Sequence, residues 1–390
     1  MKALKRIVLT LLVLGLLGAA WLQLAGHGYI WRALQLTYLQ GHRTAHIDDA
    51  PDFAQAKVAN GAVQPWAVSK QPAELPPETR HYLQKHGSAA FVVVHRGEIV
   101  HESYFAPYGP TSATNSFSMA KSIVTMLAGA AEQDGLIESF DAPIGRYLPE
   151  YAKHPLGQRA TLSQLSAMTS GHEWDENYYL PLNKTTELYF GRDAQATVLG
   201  QGFEGPPGER WEYSSASTQV LAIALQRALA AKSPGLTLSE YLSRRFWQPL
   251  GMSQPASWSL DRPREQGGME LAYCCLHINA RDMARIGQLL LQNGQWQGKP
   301  LLPAAFVERM RTPLPQARFY GHSLWMDPDH SAPFYFLQGH QGQYVIVVPS
   351  EQLVVVRLGQ FREQVRWRHP KNIEEIYLFA DVGRRMVAGR

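Results

Sequence analysis

Apolar residues run almost unbroken from Ile7 to Gly26 (IVLTLLVLGLLGAAWLQLAG), interrupted only by Thr10 and Gln23 and preceded by Lys2, Lys5 and Arg6. A helix needs about 20 such residues to span a bilayer, and the basic flank leaves the rest of the chain outside the cytoplasm. From His27 to about Leu75 the periodicity weakens and turn formers accumulate, as in Ile47–Phe53 (IDDAPDF), the pattern of a stalk and an N-terminal wrap. Two β-rich runs then meet at Arg96-Gly97 within Ala89–Phe105 and predict a hairpin. In Asn115–Gly135 the pattern changes to a helix that is apolar nearly all round, with Phe117, Met119, Ile123, Val124, Met126, Leu127 and Ala130 confined to no single stripe. Such a helix is buried on most sides, and Gly135 is placed to end it.

Residues from about 138 to 272 carry helical patterns, loops, Pro and Gly, and read as an inserted helical subdomain. β-Branched runs return between Phe334 and Gly359, punctuated by Gly339, Gly342 and Pro349-Ser350, and Ile373, Ile376, Tyr377 and Ala380 then recur at helical spacing. The implied fold is α+β: an antiparallel sheet assembled from both ends of the chain and covered by helices. The divisions are residues 1–26 as signal-anchor or transmembrane helix, 27–75 as stalk and wrap, and 76–390 as the compact domain. Gly18-Ala19-Ala20 offers a cleavage site, which would make the protein secreted. The bulky Trp21 favours a retained anchor in an inner membrane, with the domain periplasmic or otherwise extracytoplasmic.

With 390 residues, 45% of them hydrophobic, the chain is long enough for a substantial core. The net charge of +4 owes three units to Lys2, Lys5 and Arg6, so the remainder is near neutral and offers no nucleic-acid surface. Cys274 and Cys275 are neighbours, cannot staple distant segments, and read as small buried residues. No metal-ligand spacing occurs, no organic cofactor motif is present, and nothing points to a protein partner.

The chemistry concentrates on Ser118 and Lys121. A serine hydroxyl needs a base to become a nucleophile. Three residues apart on a helix, the lysine shares the serine's face, and burial lowers an amine's pKa toward the neutral form that accepts a proton. Two further segments supply partners: Pro206–Ala230, with Tyr213-Ser214-Ser215 at the mouth of a helix, and Leu337–Pro349, with His340-Gln341-Gly342 on a strand.

In this order the three motifs resemble those of penicillin-binding proteins and class C β-lactamases, with their carboxylesterase and 6-aminohexanoate-dimer hydrolase relatives. Thr161–Gly171 and Ile278–Gly294 look like further landmarks of that superfamily, and the resemblance covers roughly Pro76 to the C-terminus. It implies a β-lactamase/transpeptidase-like fold and an acyl-enzyme on Ser118, with Lys121 and Tyr213 moving protons. It also implies an oxyanion hole from the N–H groups of Ser118 and Gln343, and substrate contacts at Ser215, His340 and Gly342.

Two departures matter. Ser215 stands where many members have Asn, and His340 where many have a permanently charged Lys. Both weaken the case for β-lactams or peptidoglycan termini and favour a small ester or amide as substrate. A D-alanyl-D-alanine carboxypeptidase or β-lactamase remains the enzymatic alternative, and a non-catalytic cell-envelope ligand-binding module the other. Trp174, Tyr178, Tyr179, Trp325 and Phe336 are candidate pocket walls.

Overall fold

The computed structural model describes residues 1–361, 367–369 and 372–390. Its main sheet has six antiparallel strands. In spatial order they are Glu98–Tyr104, Ser88–His95, Leu353–Gly359, Gln343–Val348, Phe334–Gly339 and Trp325–Asp327. The first two form the expected hairpin. Arg96 and Gly97 both take positive φ, 50° and 82°, the two-residue turn whose twist suits a tight hairpin. The next three come from the far end of the chain, so the sheet is closed by pairing Val92–Val94 with Val354–Val356.

Alternation decides what each face buries. Val92, Val94, Val345, Val347, Val354 and Val356 join a core with the helix Ala280–Leu291. Phe91, Val93, Ile346, Val348 and Val355 point the other way, into a core with the C-terminal helix Glu374–Val387. The sheet therefore carries helices on both faces.

Between the two halves of the sheet lie the helices of the insertion. The longest, Ser215–Lys232, is buried at every position from Ser215 to Leu225, as is the Ser118 helix (Ala120–Gln133) from Ala120 to Ala131. These two helices pack on each other. Their contact brings the second motif to the first.

Residues beyond the first apolar helix, expected as stalk and wrap, lie on the domain. The helix Tyr29–Leu36 packs against Lys184–Phe190. The strand Ala54–Val58 pairs with Ala256–Leu260 in a second, four-stranded sheet, which ends on Thr114–Asn115 just before Ser118. Asp49, in the turn-forming stretch expected as stalk, is 3% exposed and accepts a hydrogen bond from Asn115 (3.0 Å). Among the described residues, the helix Lys2–Leu24 alone is long and apolar enough to cross a membrane, with no buried residue and a mean hydropathy of 2.3. Cys274 and Cys275 are buried as expected, and are also disulfide-bonded to each other.

Candidate active site

The position of Ser118 is set by a buried asparagine. Asn115 Oδ1 accepts from the backbone N–H of Phe117 (2.9 Å) and of Cys275 (3.1 Å), while its amide donates to Asp49 and to the Tyr189 hydroxyl. This clamp holds Phe117 at φ 45°, a conformation uncommon for a bulky residue. The turn it forces delivers Ser118 to the head of a 14-residue helix, where the exposed N–H groups favour negative charge.

Lys121 is 1% exposed, and its ammonium position is fixed from three sides. Nζ lies 3.0 Å from Ser118 Oγ, 3.1 Å from Ser215 Oγ and 3.1 Å from the Tyr273 carbonyl oxygen. The rings of Tyr213 and Tyr273 flank it, with centroids 5.1 and 5.3 Å from Nζ. Burial lowers the Lys121 pKa from 10.5 to about 8, against an opposing pull from Glu176. The Tyr213 phenol is pushed the other way, well above its ordinary value, by burial and by the Glu176 charge. A hydrogen bond with the Ser118 hydroxyl works against that rise. The amine and the phenol thus both meet the serine oxygen. One is made easier to deprotonate and the other harder, the separation of acid from base that a reaction at neutral pH requires.

As an ammonium, Lys121 donates to Ser118, Ser215 and the Tyr273 carbonyl alike, and loss of one proton changes only the bond to Ser118. Ser215 donates its own proton to Glu176 Oε1 (2.5 Å), so toward Lys121 it can only accept. The Tyr273 carbonyl also only accepts. A neutral amine has two N–H donors and one lone pair. With both donors used on Ser215 and Tyr273, the lone pair is left for Ser118 O–H.

Glu176 is the residue that sequence reasoning missed. Besides Ser215 Oγ, it accepts from the Ser215 N–H (2.7 Å) and the Tyr178 hydroxyl (2.5 Å). It lies 39 residues before Ser215 in an irregular stretch. An acidic residue in a polar loop carries no signal until folding sets it against a helix mouth.

The third motif is placed differently from expectation. His340–Gly342 is a turn joining two strands of the main sheet, with Gln341 and Gly342 at φ 60° and 84°. Gln343 begins the strand beyond it, is fully buried, and bonds Gly359 on the neighbouring strand (2.6 and 3.0 Å). It borders neither of the two cavities at Ser118, and Gly342 is likewise outside both. The backbone that approaches the serine is Gly339-His340. A Cβ on Gly339 would sit 2.3 Å from the Ser116 carbonyl oxygen, and the His340 ring stands edge-on to Phe117 at 5.5 Å.

Of the other candidates, His340 borders both cavities, and Ser215 borders the smaller one with its hydroxyl bonded to Lys121 and Glu176. Tyr178 and Trp325 line the cleft, Trp174 and Phe336 are core residues, and Tyr179 is exposed.

The Beta-lactamase family model matches residues 78–372, well over half of the chain. The 6-aminohexanoate-dimer hydrolase of Paenarthrobacter ureafaciens is 27% identical over 246 residues, which cover 60% of this chain and 59% of that protein. The chain therefore spans less than two thirds of that relative's length. Among solved structures, a Bacillus anthracis protein named for the same hydrolase activity superposes with a TM-score of 0.71 at 24% identity, over 86% of this chain and 91% of its own. A family VIII carboxylesterase superposes at 0.60 with 15% identity, over 81% and 98%.

Proposed function

Because the chain belongs to the Beta-lactamase family, we propose that it is a serine hydrolase cleaving a small ester or amide through an acyl-enzyme on Ser118, with the domain held at or exported across a membrane by the Lys2–Leu24 helix. The observation that carries this reading is the buried Lys121 Nζ 3.0 Å from Ser118 Oγ, with Ser215 and the Tyr273 carbonyl placed to take the two N–H groups of the neutral amine. The names of the hydrolase and carboxylesterase relatives favour the ester and amide branch over β-lactam chemistry.

In this mechanism Ser118 Oγ attacks the carbonyl carbon as its proton passes to Lys121. The carbonyl oxygen becomes an oxyanion received by the N–H of Ser118 and of His340, the residue that takes the place first given to Gln343. A donor of this kind contributes roughly 3 to 4 kcal/mol to the transition state. Tyr213, still protonated, gives its proton to the leaving oxygen or nitrogen and recovers one from the Lys121 ammonium. Water then repeats the sequence on the acyl-enzyme, releasing the acid and restoring Ser118.

A fluorophosphonate probe tests the assignment. The wild-type chain is expected to label and Ser118→Ala to remain unlabelled. Equal labelling of both would remove Ser118 as nucleophile, and absence of labelling in either would favour a ligand-binding module. A stable penicillin adduct on Ser118 would instead support the carboxypeptidase or β-lactamase alternative.

The pH profile has a defined sign. Lys121 works as a neutral base with a pKa of about 8, so kcat/KM is expected to climb with pH up to about 8 and then level. The Glu176 carboxylate raises that pKa, so Glu176→Gln is expected to move the acidic limb to lower pH. A limb that stays in place in the variant would show that another group titrates there.

A further inference from the structure

We infer that the preferred substrates join a short, uncharged acyl group to a bulky aromatic alcohol or amine, the acyl chain entering a small apolar cavity and the leaving group lying in a wide aromatic cleft. The inference rests on the acyl-enzyme reading above and adds which side of the scissile bond goes where.

Ser118 borders two cavities of very different size. One is a cleft of about 710 Å³ whose walls include Trp211, Tyr213 and Trp325, with Glu176, Arg210 and Glu212 as its charged groups. The other measures about 50 Å³, is walled by Phe117, Tyr189, Phe190 and Tyr273 among others, and has no Asp, Glu, Lys or Arg on its surface. Tyr178 and His340, with ring centroids 5.3 Å apart, border both and form the partition.

A tetrahedral intermediate on Ser118 carries an oxyanion, an acyl chain and a leaving group. Once the oxyanion faces its N–H donors, the other two substituents must diverge. The proton donor decides which goes where. Tyr213 borders the cleft and not the small cavity, so the atom that departs and takes its proton must be on the cleft side. The acyl chain is left to the small cavity. In the step itself the Ser118 Oγ–carbon bond forms and the carbon–oxygen or carbon–nitrogen bond breaks. The serine proton goes to Lys121 and the Tyr213 proton to the leaving atom.

Size then sets the chemistry. A void holding one water needs roughly 10 to 15 Å³ of such volume, so the small cavity takes roughly three to five heavy atoms with the carbonyl carbon counted, which admits butyryl and leaves no room beyond pentanoyl. The cleft falls in the range that buries drug-sized ligands. Its aromatic wall is continuous: the Trp211 ring meets Trp325 at 5.8 Å, and Trp325 meets Tyr213 at 5.4 Å. At the mouth Arg210 is paired with Glu204 and Glu212, so no unpaired cation there calls for an anionic leaving group.

Two ester series test this on the full-length chain. In p-nitrophenyl esters from acetate to decanoate, kcat/KM is expected to peak at or below butyrate and to fall at least tenfold by hexanoate, since one misfit methylene in a closed pocket costs about tenfold or more. Among butyrates, 2-naphthylmethyl is expected to exceed ethyl by at least tenfold, the two alcohols having similar intrinsic leaving ability. Phe190→Ala should move the acyl optimum to longer chains without touching the naphthylmethyl preference. Thr44→Leu, on the half-buried rim of the same cavity, should shorten the optimum to acetate and serves if Phe190→Ala does not fold. Trp325→Ala should erase the naphthylmethyl preference and leave the acyl profile intact. An acyl profile still rising at decanoate, or a leaving-group preference that follows the small-cavity variants, would overturn the assignment while Ser118 still labels with fluorophosphonate. Loss of both turnover and labelling would take down the acyl-enzyme reading with it.

Discussion

Replacing Lys121 with Met is expected to lower kcat/KM by roughly 10³-fold, the middle of the range for losing a general base, and to change how stability depends on pH. The wild-type amine is buried with a pKa of about 8, below the 10.5 of the unfolded chain. Between those values the unfolded state binds a proton that the folded state does not, so wild-type stability rises with pH across that window. Below about pH 8 the burial penalty is present in full, about 3 kcal/mol for a shift of that size. Met removes the titration. The stability of the variant relative to wild type is therefore expected to be highest near neutrality and to decline by about 3 kcal/mol as pH is raised past 10.5. A constant offset remains, because the Tyr273 carbonyl and Ser215 lose a donor at about 1 to 3 kcal/mol for an unsatisfied buried group. Urea unfolding of both proteins across the pH range checks this. Parallel curves would show that Lys121 keeps an ordinary pKa, and the base assignment would then fail.

Tyr213→Phe is expected to divide substrates by their leaving groups. For alkyl esters and amides, whose departing atom needs a proton, the loss should be about 10² to 10⁴-fold, the range for a positioned general acid. For p-nitrophenyl esters, whose phenolate departs unaided, the loss should be within about tenfold, the part due to repositioning Ser118. The reason is the direction of the two shifts. The phenol is held protonated by burial and the Glu176 charge while the amine is driven toward neutrality. A uniform loss across both substrate types would mean that Tyr213 acts on Ser118 itself, as a base or an orienting group. Rapid-quench measurement of the acyl-enzyme would separate these outcomes, since its formation should slow only for poor leaving groups, whereas its hydrolysis, in which Ser118 itself departs, should slow for every substrate.

The network around Lys121 explains why the site is built at a helix crossing. Ser118 and Lys121 come from one helix, Tyr213 and Ser215 from the mouth of another, Tyr273 from a loop, and Glu176 from an irregular segment. Ser118, Ser215 and Tyr273 bond the amine, Tyr213 flanks it, and Glu176 holds Ser215. Asn115 and Asp49 extend the same logic outward, since they hold the Phe117 turn from below and are buried at 0% and 3% exposure. The vicinal Cys274–Cys275 bridge follows the residue whose carbonyl holds Lys121, and Cys274 also lies on the wall of the small cavity.

What the amino-acid order determined by itself was local. Periodicity marked the hairpin at Arg96-Gly97, the Ser118 helix buried on nearly all sides, the insertion and the return of strands near residue 334. Three-residue spacing put Ser118 and Lys121 on one face, because a helix fixes that relation without help from the rest of the molecule. Contacts between distant segments are a different matter. Glu176 meeting Ser215, Tyr273 meeting Lys121 and Asp49 meeting Asn115 depend on loops whose paths no repeat encodes. The third motif shows the limit most plainly. Its residues were legible, but whether they ran as a strand or turned back was settled by pairing Gly339 with Gln343, and that register sets Gly339 and His340 in the cleft wall with Ser118 while Gln343 is buried in the sheet. A side-chain period of two makes every such choice reverse which groups face the serine, and only the packed sheet selects between them.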